Sequence, residues 1–247
     1  MIIIKTLKEI EIMKQGGKIL AGVIRELESK AVKNISTKEL DNLAENLIMK
    51  AGAKPAFKNY NGFPASLCVS INDEIVHGVP SDRKLKQGDI VSLDLGLIYN
   101  GFFADMATTI PVGEIDSEAG RLIRVTKKSL KRAIVRSKHG RTIGDIGNGI
   151  QNYIEGQGFG VVRNLCGHGI GRNLHEEPEI PNFGQRHKGP KLKNGMVLAI
   201  EPMAVVGDWK TKRSVDGFGF KTADGSLSAH FEHTVLVTNQ GGIILTK

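Results

Sequence analysis

The chain has no apolar stretch approaching the ~20 residues that a membrane-spanning helix needs, although 40% of its 247 residues are hydrophobic. Its opening Met-Ile-Ile-Ile patch is too short for a signal-peptide core and runs directly into Lys5, Lys8, Glu9 and Glu11. Cysteine is scarce. Cys68 and Cys166 are the only two, they form no CxxC and they offer no disulfide framework, which fits a reducing compartment. No linker or low-complexity stretch interrupts the chain. These absences give the expectation of a cytoplasmic protein, a monomer with no membrane segment, built as one unit over residues 1–247.

Acidic residues are absent from one segment. The formal net charge is +8, and residues 121–141 carry nine Lys/Arg with no Asp or Glu. Arg121, Arg124, Lys128, Lys131 and Lys138 are expected on one helical stripe. Charge runs are most often solvated helix faces; the functional alternative is contact with a polyanion such as ribosomal RNA. No nucleic-acid-binding motif accompanies the run.

What the chain does have is a repeat. LKQGDIVSLD (residues 85–94) and LKNGMVLAIE (residues 192–201) match at an offset of 107, and each copy closes on a carboxylate, Asp94 or Glu201. Upstream, at an offset of 106, Ser36/Thr142, Glu39/Asp145, Leu40/Ile146, Asn42/Asn148, Ile48/Ile154 and Gly52/Gly158 also correspond. So long a period is not a solenoid. It indicates two similar halves, approximately residues 1–112 and 113–247, whose face-to-face packing would bring Asp94 and Glu201 to one pseudo-symmetric centre.

Thr6-x-x-Glu9 and Ser36-x-x-Glu39 are capping boxes, and Thr142-x-x-Asp145 opens the corresponding helix of the second half. Helices are expected near 6–30, 36–52, 117–138 and 142–157, and strands at 66–72, 89–98, 102–110, 160–166, 196–206, 216–222 and 231–238. The strand runs are joined by tight turns, so the predicted class is α+β, with a curved, largely antiparallel sheet covered by helices.

Asn100-Gly101 is the strongest hairpin signal in the chain. With those residues in the turn, Tyr99 pairs with Phe102 and Asp105 falls opposite Gly96, which puts Asp94 and Asp105 on one face. Diagonal cross-strand neighbours of this kind have Cβ atoms about 7–8 Å apart or less. A solvent-facing or salt-bridged pair would explain these two acids alone. Glu201 and Glu232 raise the number to four, and each like-charge pair at about 4 Å costs roughly 4 kcal/mol at an effective dielectric of 20. Such a cluster requires protons or cations, and two divalent ions would balance it. In CGHGIGRNLHEEP, residues 166–178, Gly167 and Gly169 leave room for close backbone approach around His168. A lone His is usually structural, but the flanking glycines and His175 keep a ligand reading open. His175-Glu176-Glu177-Pro178-Glu179 is not HExxH, and the glycines do not form GxGxxG.

The order His77, Asp94, Asp105, His168, His175, Glu201, Glu232, set in CGHGIG, IEPM and FEHT, resembles the type I methionine aminopeptidases over essentially the whole chain. The resemblance implies a "pita-bread" fold of pseudo-two-fold duplicated half-domains. It implies hydrolytic removal of the N-terminal methionine from nascent polypeptides whose second residue is small. It carries two divalent ions (Co, Mn, Fe(II) or Zn, all compatible with an oxygen-rich donor set) held by Asp94, Asp105, His168, Glu201 and Glu232. Asp105 and Glu232 would bridge them, Asp94 would complete one ion, and His168 with Glu201 the other. It further implies Glu201 as a proton shuttle, His175 as donor to the scissile carbonyl oxygen and His77 as a contact to the peptide beyond the cut. Tyr60, Phe63, Cys68 and Phe218 would form the methionine pocket. The chain departs from the commonest pattern at Phe57, Asn61, Leu165, Leu174 and Phe218, expected around the pocket, which bears on fine specificity. It lacks the type II insertion and an N-terminal Cys/His-rich extension, and so resembles the short, bacterial-type form. The rival readings are a prolidase-like peptidase, which usually carries an extra domain, and a catalytically dead binding module.

Overall fold

In the computed structural model, residues 2–247 are described. Four helices form near the expected positions, three of them opened by the capping boxes: α1 (Leu7–Lys30), α2 (Thr37–Lys50), α3 (Ser117–Arg136) and α4 (Ile143–Glu155). At α1, α2 and α4 both hydrogen bonds of the capping box are made, by Thr6/Glu9, Ser36/Glu39 and Thr142/Asp145. The end of α3 differs from expectation. Ser137 caps the helix after Arg136, so Lys138 leaves the helical stripe and bridges to Thr238.

The two repeat copies make the same backbone hydrogen bonds. Asn34 and Gly140 donate to Leu85 and Leu192, Leu85 and Leu192 donate to Ile35 and Arg141, and Gly88 and Gly195 donate to Val112 and Val237. Each copy packs under its own helix pair. Val91, Leu93, Leu95 and Leu97 join Leu20, Ile24 and Leu27 of α1 and Leu40 and Ile48 of α2 in one core. Leu198, Ile200, Val235 and Val237 join Leu122, Leu130, Ile146 and Ile150 of α3 and α4 in another. Each such side chain contributes about 1.5–3 kcal/mol on full burial. Alternation along the strand then points Ser92, Asp94 and Gly96 away from the helices.

The strand pairs are antiparallel throughout. In the first half, strand Ile90–Tyr99 lies between Phe102–Pro111 and Leu67–Ile71, with Lys54–Pro55 at its far end. In the second half the order is Gly242–Ile244, His233–Val237, Val197–Ile200, Cys166–Gly169, Glu176–Pro181. Two three-stranded sheets complete the set. Several expected runs are shorter than predicted. The run 160–166 reduces to Gly160–Val161 and Cys166, 216–222 to Phe220–Thr222, and 196–206 breaks at Glu201-Pro202 because proline has no N–H to give. The short strands at Lys54–Pro55, Glu74–Val76, Thr211–Arg213, Ser228–His230 and Gly242–Ile244 span two or three residues each, too few to leave a periodic signal. Glu176–Pro181 gives no strand signal either, because its EEPEIP sequence is acidic and proline-rich.

A seam joins the two larger sheets. Strand Phe102–Pro111 runs beside residues 228–237, held by two threonines rather than by a full ladder. Thr109 Oγ1 accepts from the His230 N–H and donates to the His230 carbonyl. Thr234 Oγ1 does the same for Asp105, and between them the Glu232 N–H donates to the Ala107 carbonyl. The strands of both halves thus continue around one curved surface with its acids at the join.

Candidate metal centre

Each acid reaches the seam by local register. Asn100 and Gly101 take positive φ, 47° and 83°, as a tight hairpin turn requires, and pair Tyr99 with Phe102 and Gly96 with Asp105. Across the break in the second half, Ile200 pairs with His233 and Met203 with His230, so the unbroken register sets Glu201 opposite Glu232. His168 pairs with Ala199, two residues before Glu201, which makes it a diagonal neighbour on the same face. The glycines around it are sterically required. A Cβ on Gly167 would lie 2.4 Å from the Ala199 carbonyl oxygen, and one on Gly169 would lie 2.2 Å from that of Glu177.

A cavity of about 360 Å³ opens on this face. Asp94, Asp105, His168, Glu201 and Glu232 line it together with His77, His175, Tyr60, Phe63, Cys68 and Phe218. Ligand atoms of Asp105, His168 and Glu232 all lie within 4.8 Å of one another. His168 Nε2 lies 3.7 Å from Glu201 Oε1. The apolar wall is built by Phe63 and Phe218 edge to face, ring centroids 5.6 Å apart, with Cys68 buried beside them. Phe57, Asn61 and Leu174 also line the cavity, whereas Leu165 packs with Ile75, Val162 and Met203 away from it. Arg213, Gly217 and Phe220, which sequence patterns do not single out, complete the rim from a small sheet and a loop with no motif of their own. His230, equally unmarked by any motif, is buried directly beside Glu201.

Burial dominates the electrostatics. It lifts Asp94 to about 7, with His230 opposing the rise and Glu201 adding repulsion, and lifts Glu201 to about 8. Asp105 and Glu232 are raised well above the carboxylate range by burial and then by the neighbouring acids. The histidines move the other way. Burial, reinforced by His175, lowers His168 to about 4, and burial with His230, His175 and Arg213 lowers His77 to about 4. His175 is lowered by burial alone and is therefore neutral near pH 7.

The hydrogen bonds leave two carboxylate oxygens free, although Asp105 Oδ1 accepts from the Met106 N–H. Asp94 Oδ1 and Glu232 Oε1 are buried with no partner, which is costly for a carboxylate unless a cation meets it. His168 Nδ1 lies 2.9 Å from the Gly169 carbonyl, so with the proton held there its Nε2 lone pair faces the acids. His175 Nδ1 lies 2.8 Å from the Tyr60 hydroxyl; with Tyr60 donating, the ring proton of His175 sits on Nε2 as a hydrogen-bond donor. Four carboxylates and one oriented imidazole form a donor set that fits divalent cations.

Comparison with known proteins identifies the family. Residues 11–239 match metallopeptidase family M24. The chain is 50% identical over 246 residues to the methionine aminopeptidase of Clostridium perfringens, covering 100% of this chain and 99% of that one. It superposes on the crystal structure of methionine aminopeptidase from Thermotoga maritima with a TM-score of 0.98 at 46% identity, each chain covered completely. The prolidase from Pyrococcus horikoshii gives 0.81 at 26% identity, with only 63% of that longer chain covered. A sequence match spanning both repeat copies and the seam between them makes this chain a member of metallopeptidase family M24.

Proposed function

We propose that the chain is a metal-dependent methionine aminopeptidase, hydrolysing the bond after an N-terminal methionine when the second residue is small. Its relatives at about half identity over the full length are methionine aminopeptidases. The observation that carries the reading is one cavity lined on one side by four carboxylates, three of them buried, and an imidazole, and on the other by apolar and aromatic side chains.

In this reading Asp94, Asp105, His168, Glu201 and Glu232 would hold two divalent ions, Asp105 and Glu232 serving both, Asp94 completing the donors of one and His168 with Glu201 those of the other. The proximity of Asp105, His168 and Glu232 and the unpartnered oxygens of Asp94 and Glu232 support it. Bound ions of this kind polarise a carbonyl and make water acidic enough to attack near neutral pH. Glu201 would take and return the proton of the attacking water, a role supported by its place in the cavity beside His168. His175 donates Nε2–H to the scissile carbonyl oxygen, with Tyr60 fixing the tautomer. His77 contacts the peptide beyond the cut; its backbone is held at a φ of 57°, unusual for a non-glycine residue. Tyr60, Phe63, Cys68 and Phe218 receive the methionine side chain. Fine selectivity falls to Phe57, Asn61 and Leu174 on the same wall.

The chain works as one catalytic domain, a cytoplasmic monomer acting on nascent polypeptides. No helix among the described residues is long and apolar enough to cross a membrane. The exposed basic face of α3, over 121–136, is proposed as the ribosome contact, and co-sedimentation that is absent or insensitive to salt would count against it. The deciding experiment offers Met-Ala-Ser and an X-Pro dipeptide to the purified chain, with and without Mn or Co. Methionine release only with metal is the expected result. Cleavage of X-Pro bonds alone would replace this reading with a prolidase.

A further inference from the structure

The repeat pairs His230 with Asp105. Asp105 lies opposite Gly96 in the first half, and His230 lies opposite Met203 in the second. Gly96 and Met203 are separated by the 107 residues of the repeat offset. The seam treats the two alike. The hydroxyl of Thr234 holds both backbone polar groups of Asp105, and that of Thr109 holds both of His230. The second half therefore carries an imidazole where the first half carries an acid of the metal centre, on a backbone just as firmly fixed.

That imidazole is 1% exposed, and neither ring nitrogen has a hydrogen-bond partner. Its Nε2 lies 3.4 Å from Glu201 Oε2, while the other oxygen, Oε1, faces His168. An orphaned, buried donor is costly, and Glu201 Oε2 is the acceptor beside it. We propose that His230 is a positioning residue for the metal centre, donating Nε2–H to Glu201 Oε2 so that Oε1 is presented to the ion beside His168. This rests on the reading of Glu201 as a metal ligand. A fixed carboxylate oxygen binds a cation more tightly than a rotating one, because less freedom is lost on binding and the outer partner orients the lone pairs.

The test measures Mn binding to EDTA-treated protein by calorimetry in wild type, His230→Ala, His230→Gln and Glu201→Gln, with circular dichroism confirming that each folds. Loss of an outer-sphere partner typically weakens metal affinity about 10–100-fold, and that loss is expected for His230→Ala. His230→Gln keeps an N–H donor of similar reach and is expected to recover most of it, which a purely space-filling role would not predict. Undiminished Mn affinity in His230→Ala, or no recovery in His230→Gln, overturns the proposal. If Glu201→Gln binds Mn as wild type does, the reading of Glu201 as a ligand falls, and the role of His230 with it. If Glu201→Gln is weakened and His230→Ala is not, only the His230 proposal falls.

Discussion

Replacing Asp94 by asparagine is expected to stabilise the metal-free protein while damaging the metal-loaded one. Burial and Glu201 lift the Asp94 carboxyl from an ordinary 3.8 to about 7. At about 1.4 kcal/mol for each tenfold step, ionising it in the folded chain costs on the order of 4 kcal/mol. A carboxyl raised in the folded state keeps its proton there after the unfolded chain has lost it. Its stabilising contribution is complete below about 4 and is gone once pH has risen past about 7. Wild-type protein stripped with EDTA should therefore melt lower at pH 8 than at pH 6. The substituted asparagine carries no charge but leaves a buried amide with unmet hydrogen bonds, a penalty of about 1–3 kcal/mol. The net gain at pH 8 is about 2 kcal/mol, or roughly 4–8 °C in Tm for a chain of this size. Differential scanning calorimetry with EDTA and with Mn reads both sides. The metal-free Asp94→Asn protein should melt higher than wild type, and the rise on adding Mn should shrink. A metal-free Asp94→Asn protein that melts at or below wild type, with an undiminished Mn response, would show that the clustered charge is not what the cation answers.

Three further outcomes follow from the same geometry. His168→Ala and Asp105→Asn should each lower kcat by more than the 10–100-fold typical of losing an outer-sphere partner, with far-UV dichroism unchanged; wild-type turnover in either removes that residue from the centre. Gly169→Ala would put a Cβ 2.2 Å from the Glu177 carbonyl, so a loss of about 1–3 kcal/mol is expected, and a thermal melt within a degree of wild type would refute the close-approach explanation. Lys5 and Glu176 form an ion pair with side chains only 2% and 4% exposed. Lys5→Met should cost about 3–5 kcal/mol by stranding the acid, while Lys5→Met with Glu176→Gln should recover part of it in urea titration.

The short-range signals in the sequence translated directly into structure. Capping boxes placed the starts of α1, α2 and α4 because the reciprocal bonds they encode lie within four residues. Asn100-Gly101 fixed the register that sets Asp105 opposite Gly96, since positive φ at both turn positions leaves the strands one way to pair. Helix ends and strand lengths were less legible. Nothing local marked that α3 stops before Lys138, and the strand of residues 196–206 is interrupted by a single missing N–H at Pro202.

By itself the sequence determined two repeat copies, the acids that close them, and a hairpin that brings Asp94 and Asp105 to one face. The tertiary structure alone decided how the halves meet. Thr109 and Thr234 bond residues more than 120 positions away, Glu201 comes opposite Glu232 across a broken strand, and His230 comes to rest against Glu201. Turn and cap chemistry acts over a few bonds and is written in adjacent residues. The seam depends on the shapes of two separately packed cores, and no short stretch of chain contains both.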